Sequence, residues 1–295
     1  MTRIIDSLDE VSAGYDALLC DLWGCLHDGR RAFAQAVAAL RRFRDRGGRV
    51  LLLTNSPRPT PAVAAQLDRL EVPRDAWDGI ASSGDAAQFA LFSGAVGRRV
   101  FHLGPPKDES FFADCAPDLA PLAAAAGIER VPLEAAEGVV CTGLHDDLTE
   151  TPEDYRALLA AAKARDLPML CANPDLMVDY GDRRIWCAGG LAQAYAERGG
   201  RVLYFGKPHP PIYDLARRRL AALGLDGQAR CLAIGDGPGT DIAGARGEGI
   251  DALFVTGGLT AGAFGPDPAR PAADLLAAWL GHQGLAPAYA IGQLR

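Results

Sequence analysis

Eight short apolar runs punctuate the chain, and each gives way to a polar or small residue. Residues 17–20 lead to Asp21, 50–53 to Thr54, 100–103 to Gly104 and 138–141 to Thr142. Residues 167–171 end just before Asn173, 202–205 lead to Gly206, 231–234 to Gly235 and 250–255 to Thr256. Runs of four to six residues, continuous rather than alternating, are what strands buried on both faces require. Helix-patterned segments lie between them. In 33–46, Phe33, Val37, Leu40 and Phe43 fall at i, i+4, i+7 and i+10, a single helical stripe. Segments 59–70, 151–165, 190–198 and 210–223 read the same way. Thr151-Pro152-Glu153-Asp154 is a helix start, with a capping hydroxyl, proline in the first turn and acids after it. Strand–helix alternation of this kind means an α/β protein with a parallel sheet. No internal repeat or low-complexity linker interrupts it.

An open parallel sheet binds its ligands beyond the carboxyl ends of its strands. The polar residues found there are Asp21, then Thr54 and Asn55, then Gly206 and Lys207, then the stretch from Asp236 to Asp241. One aspartate after a strand is an ordinary helix cap. Carboxylates, a hydroxyl and a lysine at four successive strand ends do not serve a core. Composition narrows the partners. With 37 acidic against 30 basic residues in 295, the formal charge is −7, which argues against nucleic acid. No apolar stretch approaches the roughly 18 residues needed to span a bilayer, so no membrane is expected. The first residues carry Asp6, Asp9 and Glu10 and do not read as a secretory signal. Seven cysteines, an odd number without CxxC spacing, give neither a disulfide framework nor a structural zinc site. They read as small core residues of a cytoplasmic protein.

Four segments carry a more specific signal: Asp21-Leu22-Trp23-Gly24-Cys25-Leu26-His27-Asp28-Gly29, Thr54-Asn55-Ser56-Pro57, Gly206-Lys207-Pro208-His209-Pro210, and Ile234-Gly235-Asp236-Gly237-Pro238-Gly239-Thr240-Asp241-Ile242. In order and spacing they resemble the four motifs of the haloacid dehalogenase superfamily, and most closely its class IIA, the C2-capped small-molecule phosphatases. The resemblance covers nearly the whole chain. It implies a Rossmann-like, doubly wound core from residues 1–83 and 201–295, with an inserted α/β C2 cap at 84–200. It implies hydrolysis of a small phosphorylated metabolite through an aspartyl-phosphate. By that resemblance Asp21 is the nucleophile, Thr54 binds phosphate through its hydroxyl and Asn55 through its backbone N–H. Lys207 balances the charge of Asp21 and the phosphate. Asp21, Asp236, Asp241 and the Trp23 carbonyl serve a Mg²⁺ ion. Phosphate and a carboxylate nucleophile repel one another unless a cation lies between them, and Mg²⁺, a hard ion preferring oxygen, suits that place.

One position departs from the pattern. The first motif of these phosphatases usually reads Asp-x-Asp, the second Asp protonating the leaving oxygen; here position 23 is Trp. An indole N–H cannot deliver a proton at neutral pH, and general acid–base work is typically worth about 10²–10⁴-fold. Several readings stay open: a substitute acid with His27 and Asp28 nearest, a leaving group needing little help, slow turnover, or a phospho-ligand binder that does not hydrolyse. Trp23 itself reads either as a packing plug or as a platform for substrate.

The stretch of about 150 residues between the second motif and Lys207 exceeds one strand–helix return. Ser82-Ser83-Gly84-Asp85 opens the helix leading into it. Asn173-Pro174-Asp175 matches the cap loop that contacts substrate in class IIA, or is a plain Asn-Pro turn. A capped site favours a small molecule over a polymer. Capped relatives often dimerise, so the resemblance admits a homodimer.

Overall fold

The structure, a computed structural model, describes residues 2–180, 183–225 and 227–295. In chain order its strands are β1 (Arg3–Ile4), β2 (Ala17–Cys20), β3 (Arg49–Thr54), β4 (Gly79–Ser82), β5 (Arg99–Leu103), β6 (Glu129–Arg130), β7 (Gly138–Cys141), β8 (Met169–Cys171), β9 (Met177–Tyr180), β10 (Arg183–Trp186), β11 (Val202–Tyr204), β12 (Cys231–Gly235), β13 (Asp251–Val255) and β14 (Tyr289–Ile291). The chain divides into two compact units. The first comprises Met1–Thr54, Gln66–Ala81 and Tyr213–Arg295; the second comprises Asn55–Ala65 and Ser82–Ile212.

The first unit carries a seven-stranded sheet in the order β1-β14-β13-β12-β2-β3-β4. β2 runs parallel to β12 on one side and to β3 on the other, with Cys20 level with Ile234 and with Leu52. All four residues of β2 and five of the six in β3 are buried, hence the unbroken apolar sequence. Each fully buried Leu or Val there contributes roughly 1.5–3 kcal/mol of transfer free energy. The helix Ala34–Asp45 buries Val37, Leu40 and Phe43, the stripe read from the sequence. Because these strands are parallel and in register, their carboxyl ends fall at one edge of the sheet, which places Asp21, Thr54 and Asp236 there together.

The second unit holds a five-stranded parallel sheet, β11-β8-β7-β5-β6, and an antiparallel hairpin of β9 and β10. Its core gathers Leu103, Val139, Cys141, Leu159, Met169, Leu191 and Tyr195 with their neighbours. The helix Ser83–Phe92 opens with a reciprocal cap: Asp85 N–H donates to Ser82 Oγ at 3.0 Å while the Asp85 carboxylate accepts from the Ser82 N–H. Asp154 accepts from both the N–H and the hydroxyl of Thr151, and the expected helix there begins as a 3₁₀ turn, Pro152–Tyr155, before Arg156–Ala164.

One boundary differs from the sequence reading. Val202–Tyr204, assigned to the 201–295 part of the core, pairs with β8 and closes an edge of the second sheet. Its three half-buried residues suit an edge, and β8 had that edge open. The strands of two to four residues, β1, β4, β6 and β14, and the β9–β10 hairpin carry too few apolar residues to stand out in sequence. Among the described residues no helix is long and apolar enough to cross a membrane.

Candidate active site

The loop after β2 begins by extending the ladder: Asp21 N–H donates to the Ile234 carbonyl at 2.8 Å. It then folds on itself, with Leu26 and His27 N–H both bonded to the Leu22 carbonyl and Gly24 N–H to that of His27. Gly24 has φ +71°. A Cβ there would sit 2.6 Å from Asp236 Cγ and closer still to Oδ2. Only glycine permits both the left-handed turn and this close approach. Gly258, after β13, is the second wall of the same seat, and Leu259 N–H donates to Asp236 Oδ2 at 2.7 Å. The outcome is a cluster in which donor atoms of Asp21, Cys25 and Asp236 lie within 4.8 Å of one another. Asp21 is 8% exposed and Cys25 1%. Burial, then the neighbouring Asp236 and Asp21 carboxylates, push the Cys25 thiol well above its ordinary pKa.

Asp241 stands outside that three-residue group. Its Oδ2 accepts from the Gly237 N–H at 3.1 Å and the Thr240 hydroxyl at 3.2 Å. It packs where a Cβ on Gly235 would otherwise sit, and so braces the loop that carries Asp236. Thr54, 2% exposed, ends β3 at the same sheet edge as Asp21.

Trp23 is half-buried. Its ring meets His27 edge-on at 5.2 Å between centroids and lies over Gly29, where a Cβ would come within 2.5 Å of Cζ3. Neither nearby acid candidate is arranged to replace it. His27 is fully buried, its Nδ1 accepts from the Gly29 N–H at 3.1 Å, and burial pulls its pKa down to about 4. Asp28 Oδ1 accepts from the N–H groups of Arg30 and Arg31, both at 2.9 Å. Burial opposes its charge, yet these bonds and the Arg31 guanidinium outweigh it and hold the carboxyl below its usual range. Asp28 makes a turn.

The other candidates gather within the second unit around Asn55. Its Nδ2 donates to Asp175 Oδ1 at 2.8 Å and to the Lys207 carbonyl at 3.0 Å. Its Oδ1 accepts the Lys207 N–H at 2.7 Å. The amide thus joins the second-motif loop to the Asn173-Pro174-Asp175 loop and to the segment holding Lys207. Asn173 Oδ1 accepts from the Asp175 N–H at 3.0 Å. A Cβ on Gly206 would strike Asn55 Oδ1 and Pro174 Cδ, each at 2.5 Å, and Lys207 is 2% exposed. The sequence reading used only the backbone of Asn55 and treated Cys25 as core. The position of Cys25 four residues after Asp21, inside a strand-end loop, was the signal available for it.

A model of haloacid dehalogenase-like hydrolases matches residues 18–116 and a second, of HAD-like hydrolases, matches 204–278. The D-glycerol 3-phosphate phosphatase of Mycobacterium tuberculosis is 27% identical over 259 residues, covering 85% of this chain, which spans 66% of that protein's length. A structure of glycerol phosphate phosphatase from Mycobacterium tuberculosis in complex with magnesium is 27% identical over 84% of this chain and 70% of its own, with a TM-score of 0.60. A crystal structure of a haloacid dehalogenase-like hydrolase from Brucella suis is 40% identical, covers 99% of this chain and 100% of its own, and has a TM-score of 0.83. With relatives that are phosphatases and a likeness running its whole length, this chain belongs to the haloacid dehalogenase-like hydrolase family.

Proposed function

We propose that this protein is a Mg²⁺-dependent phosphatase of a small phosphorylated metabolite, with Asp21 as its nucleophile. The observation that carries the reading is the seating of Asp236 against the Asp21 loop, two carboxylates brought to one point by a glycine on either wall. The magnesium complex of a relative supports the choice of ion. Asp21 and Asp236 are hard oxygen donors of the kind Mg²⁺ takes; they would hold it together with the Trp23 carbonyl, and Asp241 would steady Asp236. When bound, the ion neutralises charge between carboxylate and phosphate.

The chain's own residues do the rest. Asp21, anchored by its N–H on β12, attacks phosphorus as the ester P–O bond breaks and the alcohol leaves with a proton taken from water; water then hydrolyses the aspartyl-phosphate, releasing inorganic phosphate and restoring the Asp21 carboxylate. The Thr54 hydroxyl and the Asn55 N–H are assigned to the phosphoryl oxygens. Lys207 supplies compact positive charge, with its backbone set by the Asn55 amide. We assign residues 84–200 the role of a specificity cap, and Asn173, Pro174 and Asp175 its substrate loop. The relative that acts on D-glycerol 3-phosphate puts short polyol phosphates first among substrates to be tried.

The test is phosphate release from a panel of sugar, polyol and aryl phosphates with Mg²⁺ from about pH 5 to about pH 9, where catalytic acids and bases titrate. Mg²⁺-dependent release that Asp21→Asn abolishes supports the reading. No release above buffer from any compound overturns it. A second reading, phospho-ligand binding without turnover, is favoured by one observation: Trp23 holds the acid's place while His27 and Asp28 are committed to their own loop. It predicts ligand-dependent thermal stabilisation without product. Steady turnover excludes it.

A further inference from the structure

Cys25 is the one soft donor in an otherwise hard set. Its Sγ and an oxygen from each of Asp21 and Asp236 lie within 4.8 Å of one another. The side chain is 1% exposed, and among the described residues nothing hydrogen-bonds the thiol. Asp236 fills the space that a Cβ on Gly24 or Gly258 would take, and Leu259 N–H holds its Oδ2 at 2.7 Å. For magnesium, which takes oxygen at about 2.1 Å and keeps water in its shell, this thiol is a bystander. For zinc it is a ligand. Tetrahedral zinc binds thiolate at about 2.3 Å and carboxylate oxygen at about 2.0 Å, which sets a sulfur–oxygen edge of about 3.5 Å. The three donors already lie within 4.8 Å of one another, so closing to that spacing needs movements of about an ångström. One thiolate and two carboxylates also leave a fourth position for water.

We propose that Asp21, Cys25 and Asp236 form a three-ligand site for a thiophilic divalent cation of the zinc class, which competes with Mg²⁺ for the two carboxylates. As the metal–sulfur bond forms, the thiol proton passes to solvent. The inference goes beyond the phosphatase reading, and metal binding reports on it whether or not the protein turns over.

The experiment uses the full chain, stripped of metal with a chelator and titrated with Co²⁺ as the spectroscopic probe. The expected result is a near-ultraviolet sulfur-to-cobalt charge-transfer band saturating at one ion per chain and erased by Zn²⁺. Cys25→Ser and Cys25→Val should each abolish the band and weaken Zn²⁺ by roughly tenfold or more. Neither should greatly change the Mg²⁺ concentration that protects against thermal unfolding. Asp21→Asn and Asp236→Asn keep the thiol and should also weaken Zn²⁺. A band that survives both Cys25 substitutions belongs to another of the seven cysteines and overturns the proposal. So does Zn²⁺ affinity unchanged by the two carboxylate substitutions. Circular dichroism checks each variant's fold, and Cys25→Ala carries the same test where a larger side chain disturbs it.

Discussion

Gly258→Ala tests the seating of Asp236 without touching a charged group. Gly258 has no left-handed φ, so alanine meets no backbone strain, and the new methyl is the whole perturbation. It would lie 2.1 Å from Asp236 Oδ2, 2.6 Å from Cβ and 2.7 Å from Cγ, where ordinary contact begins near 3.4 Å. The carboxylate must retreat by up to about 1.3 Å, the shortfall of its closest contact from 3.4 Å, and the 2.7 Å bond from Leu259 N–H to Oδ2 is lost or stretched. Overpacking of this kind costs about 1–3 kcal/mol. The metal-bound state alone requires Asp236 in place, so the cost falls on metal affinity. It corresponds to a rise of roughly 5- to 150-fold in the Mg²⁺ needed for half-saturation. Global stability changes less, because replacing glycine also restrains the unfolded chain by about 0.4–1 kcal/mol. The assay is Mg²⁺ titration of nitrophenyl phosphate hydrolysis, paired with Mg²⁺ titration of thermal stability, which does not need turnover. Gly262→Ala, with nothing within 4 Å of the added methyl, is the control. Identical Mg²⁺ curves for the two variants, with both folds intact, would refute the claim that Gly258 seats a metal carboxylate.

Trp23→Asp should restore a proton donor and raise kcat on alkyl phosphates more than on nitrophenyl phosphate, by roughly tenfold or more if part of the general-acid contribution is recovered. An equal change on both substrates says the missing acid is not what limits rate; loss on both, with the fold kept, makes the indole a working wall of the site. Acid should destabilise the protein through His27. Unfolded histidine takes a proton near pH 6.5, but burial holds the folded side chain neutral down to about 4. The unfolded state therefore binds more protons in between, and stability falls as pH drops through that window and is full above it. The gap is worth on the order of 3 kcal/mol. His102, half-buried and also with its pKa pulled down to about 4 by burial, adds to the same slope. Urea unfolding from about pH 7 to about pH 4 should show a shallower decline for His27→Gln, and an unchanged slope would remove His27 from the account.

Much of the core was legible because burial on both faces leaves a mark in one dimension. A parallel strand sandwiched between helices must be apolar throughout, so β2, β3, β7, β12 and β13 stand out as unbroken runs, and the polar residues after them mark the edge where ligands bind. The glycines around Asp236 were visible as turns, though not as the walls of a carboxylate's seat. What stayed hidden depends on contacts between distant segments. The bonds of the Asn55 amide span 120 and 152 positions, and no local pattern announces them. Whether His27 is a free acid or a buried neutral ring depends on the fold of its loop and on the Trp23 ring. Val202–Tyr204 has a strand's sequence, but which sheet it joins was decided by the open edge of β8. Cys25 lies between two carboxylates because β2 and β12, more than 200 residues apart in the chain, pair in a register that sets Ile234 beside Cys20. Sequence alone determined the period and polarity of each segment, which are local properties of solvation and backbone geometry. Which side chains converge was decided by sheet order and register, which only the packing of the whole chain settles.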